Sequence, residues 1–165
     1  MPDDVVARAG LRRGLELDRA TRRRVRAEIA RARGFAVAGS ALARRDLAAG
    51  RVHERLRRAG LDARAAEDVI ASLEQAGVLD DERAAQARAH SLAEGAWGDA
   101  AIAARLAAEG FSEELALEAV ATLTPESERV QALTARVSDR RKAAARLSRR
   151  GFAFESLEGL AEGLD

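Results

Sequence analysis

The feature that most constrains how this chain can fold is a short string that occurs three times. Arg-Leu-x-x-x-Gly-(Leu/Phe) stands at Arg55–Leu61, at Arg105–Phe111 and at Arg146–Phe152. Each copy reads as the end of a short helix. Its glycine can adopt the left-handed conformation that closes a helix, and the apolar residue after it can fold back as a clasp. Val52 and Leu56 share a helix face, as do Ile102 and Leu106, while the third copy has only Ala143 in that place. The residues after each glycine repeat as well. Ala66, Val69, Ile70 and Leu73 stand at the same offsets from Gly60 as Ala116, Ala119, Val120 and Leu123 from Gly110, and as Leu157, Leu160, Ala161 and Leu164 from Gly151. That is one helical stripe, written three times. A further helix is expected ahead of each string, over about 37–48, 80–93 and 125–138.

Units this small cannot bury an apolar face alone, so they must stack on neighbours. The expected fold is all-α: tandem three-helix repeats, about nine helices, stacked into an elongated, curved body with a basic N-terminal arm. The expected division is a partly helical arm over 1–34 and repeats over 35–78, 79–123 and 124–165. Asp62, Asp80, Ser112 and Thr124 are placed to cap helices. Thr124-Pro125-Glu126 reads as a cap, a proline at the first helical position and an acid in the first turn. Gly50, Gly60, Gly77, Gly95, Gly98, Gly110 and Gly151 fall at expected helix ends.

Composition narrows the function. The 165 residues include no Cys and only two His, His53 and His90. Thiolate zinc sites, iron–sulfur clusters, disulfides and cysteine nucleophiles are therefore excluded. Asp80, Asp81 and Glu82 read as a helix start, since consecutive carboxylates on one turn converge poorly on a cation. No nucleophile–base pair or phosphate loop is present. The expectation is a protein that is not an enzyme, with no cofactor and no metal. Aromatic residues are 3% with no Tyr, too few for a base-stacking platform. Trp97, between two near glycines, is expected to plug the joint between repeats. The N-terminus shows no secretory pattern and no stretch reaches the roughly 18 apolar residues of a membrane span, so a cytoplasmic protein is expected.

Charge is uneven although the net is only +1. Residues 1–34 carry ten basic and five acidic side chains, whereas residues 79–123 carry three and nine. The outer repeats are nearly balanced. Arg22, Arg23 and Arg24 form a run that suits an accessory, phosphate-contacting arm.

The chain resembles the RecX regulatory proteins of bacteria. Four segments carry the likeness: Leu42-Ala43-Arg44-Arg45-Asp46; Arg55-Leu56-Arg57-Arg58-Ala59-Gly60; Gly77-Val78-Leu79-Asp80-Asp81-Glu82-Arg83; and Trp97-Gly98 with Ile102, Leu106, Gly110 and Phe111. It departs from the family pattern at Ala84 and Ala85, where an aromatic is common, and at Ala100, Ala101 and Glu109, where basic residues are usual.

The resemblance implies tandem three-helix repeats and a partner, the RecA recombinase filament. It implies negative modulation of the filament's ATP hydrolysis, strand exchange and SOS co-protease activity. On that footing the partner-contacting residues are expected to be Arg44, Arg45, Arg55, Arg57 and Arg58 in repeat one. In repeat three they are Arg140, Arg141, Lys142, Arg146, Arg149 and Arg150. Arg55, Arg105 and Arg146 share one repeat position and have a second reading, in which their stems cover the core and cap helix carbonyls. DNA is expected to be bound weakly or only through the filament, there is no membrane partner, and the protein is expected to be a monomer. Two other readings are a helical-repeat protein acting directly on nucleic acid and a scaffold for another protein.

Overall fold

The computed structural model describes residues 3–8, 10, 12, 18–43 and 47–161. Its described residues are helices and connections, with no strand among them. The chain divides into two compact units, Met1–Leu79 and Asp80–Asp165.

The first unit holds α1 (Asp3–Arg8), α2 (Arg19–Leu42), α3 (Ala49–Arg58) and α4 (Ala63–Gln75). Helices α2, α3 and α4 pack on one another, and α1 packs on α2. The core forms where Val52 and Leu56 of α3 meet Val69 and Leu73 of α4 and Ala38 of α2. The second unit holds α5 (Asp81–Glu94), α6 (Asp99–Ala108), α7 (Glu113–Ala121), α8 (Glu126–Thr134), α9 (Arg140–Ser148) and α10 (Phe154–Ala161). Helices α5, α6 and α7 form one three-helix group and α8, α9 and α10 another. Ile102 and Leu106 are fully buried in the former, while Leu147, Phe152, Leu157 and Leu160 build the core of the latter.

The three glycine corners share one geometry. Gly60, Gly110 and Gly151 have φ of +88°, +98° and +81°. In each, the residue after the glycine donates its N–H to the carbonyl of the motif's Leu: Leu61 to Leu56 at 3.1 Å, Phe111 to Leu106 at 3.2 Å and Phe152 to Leu147 at 3.2 Å. The glycine N–H closes the inner bond, at 2.9 Å to Arg57, 3.0 Å to Ala107 and 3.0 Å to Ser148. The clasp pairs two apolar side chains while satisfying carbonyls that the helix end leaves open.

The expectation for the arm changes. Helix α2 is a continuous 24-residue helix from Arg19, so it runs through residue 34 rather than starting near 37, and it stops at Leu42 rather than near 48. Gly34, at the expected boundary, lies buried inside α2. A Cβ there would stand 2.8 Å from both Leu61 and Val69, so the glycine serves close packing of α2 on its neighbours. Gly95 stands at a helix end as expected. It takes the C-cap position of α5 at φ −74°, and the left-handed residue is Ala96 at φ 57°. The same pair of bonds forms, Ala96 N–H to Ala93 and Trp97 N–H to Leu92. An alanine in the left-handed region carries a penalty of about 1–2 kcal/mol. Ala96→Gly removes it and gains unfolded-state entropy in exchange, so it should stabilise by about 0.5–1 kcal/mol. Thermal unfolding checks this as a rise in Tm of roughly 2–4 °C.

Asp62, Asp80 and Ser112 cap α4, α5 and α7 as expected, accepting from the N–H of Ala65, Arg83 and Leu115. Thr124 does not. Helix α8 starts at Glu126 with Pro125 at the cap position and no side-chain cap. Glu126 is nearly fully buried and serves two other helices.

Candidate functional site

The second unit is joined through Glu126. One carboxylate oxygen accepts the N–H of Asp99 at 2.6 Å and the other accepts the N–H of Ala153 at 2.6 Å. Asp99 opens α6 and Ala153 precedes α10, so one acid satisfies donors at two helix N-termini, where the macrodipoles favour negative charge. Arg129, one turn on, balances that charge. Its guanidinium pairs with Asp99, lies 4.0 Å from Glu126, and donates to the carbonyls of Trp97 at 2.9 Å and Thr124 at 3.0 Å. Burial pushes the Asp99 carboxyl above its usual range, a shift that Arg129 partly offsets.

Trp97 sits at the same junction. The guanidiniums of Arg105 and Arg150 lie over its ring, 3.5 and 4.3 Å from the centroid. Arg150 also donates to the carbonyl of Gly95 at 2.9 Å, and its own carbonyl accepts from Gly98 at 2.9 Å. Trp97 therefore ties α5–α6 to α9, a joint between repeats.

Arg150, expected as a partner contact, is thus committed inside the unit. The others expected on α9 are exposed. The side chains of Arg140, Arg141, Arg146 and Arg149 have no hydrogen bond or ion pair among the described residues, and that of Lys142 pairs only with Asp139 at 3.1 Å. Three cations occupy the first turn of α9, where the macrodipole disfavours them. Asp139 compensates as the cap. The backbone N–H of Lys142 holds its carboxyl below the usual range, helped by the Lys142 side chain and the charge of Arg141.

In the first unit Arg55, Arg57 and Arg58 lie exposed on the last turn of α3. Arg58 pairs with Glu54 at 2.6 Å, and Arg57 donates to the Leu61 carbonyl at 2.8 Å. Capping of the glycine corner thus falls to Arg57. The side chain of Arg55, the repeat equivalent of Arg105 and Arg146, has no hydrogen bond or ion pair among the described residues. Arg44 and Arg45 lie outside the described residues. Arg22, Arg23 and Arg24 are on α2, and Arg24 donates to Thr21 at 3.2 Å.

Glu109, one of the departures from the family pattern, has a partner. Arg88 of α5 grips it in a fork, with bonds of 2.7, 2.9 and 3.1 Å. The bonds raise the Arg88 pKa further. This acid holds α5 to the end of α6.

No protein-family model matches the chain, and no curated protein matches it by sequence. Solved structures do. The crystal structure of RecX from Lactobacillus salivarius superposes with a TM-score of 0.72 at 17% identity, covering 82% of this chain and 97% of that one. A crystal structure of regulatory protein RecX gives a TM-score of 0.78 at 18% identity, covering 98% of this chain and 88% of that one. The chain has the RecX fold. At such identity the side chains of the RecX structures do not transfer, so any shared function rests on what this chain itself exposes. What it exposes on α3 and α9 is cationic. No helix among the described residues is long and apolar enough to cross a membrane.

Proposed function

We propose that this chain is a RecX-type regulator of the RecA recombinase. It binds the RecA nucleoprotein filament and lowers its ATP hydrolysis, strand exchange and SOS co-protease activity. The observation that carries the reading is the RecX fold, extending over 98% of this chain. The exposed cations of α3 and α9 supply the contacts. Apart from Arg57, which holds the Leu61 carbonyl, they lack competing intramolecular partners or hold only exposed ones, and forked guanidinium pairs to carboxylate or phosphate are available to them. Tandem repeats let several weak contacts act together through effective concentration. The protein works as a cytoplasmic monomer, without catalysis of its own, and its contact with DNA outside the filament is weak.

The test is the single-stranded-DNA-dependent ATPase of the cognate RecA, titrated with this protein at physiological salt. Inhibition at near-stoichiometric protein is expected. Reversing Arg55, Arg58, Arg140, Arg141 and Arg149 to Glu should raise the half-inhibitory concentration at least tenfold, about 1.4 kcal/mol. Arg150 stays native because its loss would strike the Trp97 joint. Unchanged inhibition by the fivefold variant removes these residues from the interface. No effect of the native protein on ATPase or strand exchange removes the RecA reading.

A further inference from the structure

Helix α2 carries more exposed cations than the three arginines that stand out in the sequence. Its first four turns, before the core residue Ala38, contain Arg19, Arg22, Arg23, Arg24, Arg26, Arg31 and Arg33 against one acid, Glu28. Two of these turn aside. Arg24 donates to Thr21, and Arg31 reaches Ser72 at 3.5 Å and lies over Phe35. The other five, Arg19, Arg22, Arg23, Arg26 and Arg33, fall within an arc of about 100° on the helix, in a row about 21 Å long. All five are exposed, and none of their side chains has a hydrogen bond or ion pair among the described residues.

We infer that this row is a binding site for the phosphate backbone of duplex DNA, independent of any contact with RecA. Three observations select that ligand. The row is straight and rigid, because the helix continues unbroken into the packed core of its unit. A duplex is equally straight and carries one charge per about 1.7 Å of axis, so each guanidinium finds a phosphate in reach. The row has no apolar centre, which a protein interface needs for most of its affinity. Ile29, 45% exposed, is the large hydrophobic at its border. It also has no aromatic on which single-stranded bases could stack. The site reads phosphates only and selects no sequence.

The experiment measures binding of the full chain, without RecA, to a short fluorescein-labelled duplex of arbitrary sequence and to a single strand of equal length. Five phosphate contacts give a log–log salt slope near −4.5 on duplex, or about 500-fold weaker binding between about 50 and 200 mM salt. Arg22→Ala/Arg23→Ala/Arg26→Ala/Arg33→Ala should leave a slope near −1, with a loss of only about 3.5-fold over the same range. The corresponding Arg→Lys variant keeps the charge and should keep the native slope. Equal thermal stability of the variants shows that the helix survives, as exposed alanines predict. A quadruple Ala variant with the native slope overturns the assignment. So does tighter binding of the single strand than of the duplex. A native protein that ignores duplex DNA, but whose Ala variant loses RecA inhibition, would assign the row to an acidic protein surface instead and overturn the DNA site. Because RecA is absent from the binding assay, the regulatory reading stands or falls separately.

Discussion

Gly98→Ala is expected to destabilise the second unit by about 3 kcal/mol or more. A Cβ on Gly98 would stand 2.2 Å from the carbonyl carbon and oxygen of Gly151 and 2.3 Å from the nitrogen of Phe152. These are backbone atoms of a tight turn and have no rotamer into which to retreat. Gly98 is also where the two halves of the unit exchange a backbone hydrogen bond, to Arg150 at 2.9 Å. Relief of the clash must therefore break that bond or move the glycine corner that closes α9. Gly60→Ala is the control. It has φ +88° but nothing within 4 Å of a Cβ, so it should show only the left-handed penalty of about 1–2 kcal/mol. Thermal unfolding is the measurement, followed by circular dichroism, which reads the helices of both units, and by fluorescence of the single Trp of the chain, Trp97, which sits at this joint. The expected fall in Tm is roughly 10 °C for Gly98→Ala. A fall no larger than that of the control would mean that the two backbones do not meet this closely.

Glu126→Ala is expected to destabilise the same unit by about 3–5 kcal/mol, the loss typical of removing one partner from a buried charged network. Three groups lose their partner at once: the N–H of Asp99, the N–H of Ala153 and part of the compensation of Arg129. Glu126→Gln separates charge from shape. Its amide has one acceptor for two converging N–H donors, and its NH2 group must face the other donor. It should fall between the native protein and Glu126→Ala. If Glu126→Gln were as stable as the native protein, the carboxylate would not be joining the two helix starts. Asp99 bears on the choice of pH. Its raised folded-state pKa means that the folded protein binds a proton before the unfolded chain does. Its share of stability is therefore present below the unfolded value of about 3.9 and is lost as pH rises through the folded value. The variants are therefore compared at one fixed pH.

Neither residue announces itself in the sequence. Glu126 comes after a threonine and a proline and looks like an ordinary first-turn acid of its own helix. Its actual partners lie 27 residues away on either side. Gly98 resembles the other helix-end glycines, yet what it needs is room for a second backbone. The cationic row on α2 is half visible. The run Arg22-Arg23-Arg24 is obvious, but only helical geometry removes Arg24 from the row and adds Arg19, Arg26 and Arg33. A helical wheel carried upstream through Gly34 would collect them, but a glycine at that place hides the continuity of the helix.

The amino-acid sequence alone determined whatever is settled within a few residues. The three glycine corners arise from φ freedom and from a Leu–Leu or Leu–Phe clasp five residues apart. The stripes after them come from the 3.6-residue period, and the caps at Asp62, Asp80 and Ser112 from side chains that reach their own helix. Tertiary structure decided whatever depends on distance through space. It placed Gly34 against Val69 and Gly98 against Gly151, sent Glu126 to two other helices, and separated Arg150, held on Trp97, from Arg149, exposed one residue before it. Local rules act through the backbone torsions and the helical repeat, which the chain carries with it. Close approach and the pairing of buried charge exist only once two distant segments have met.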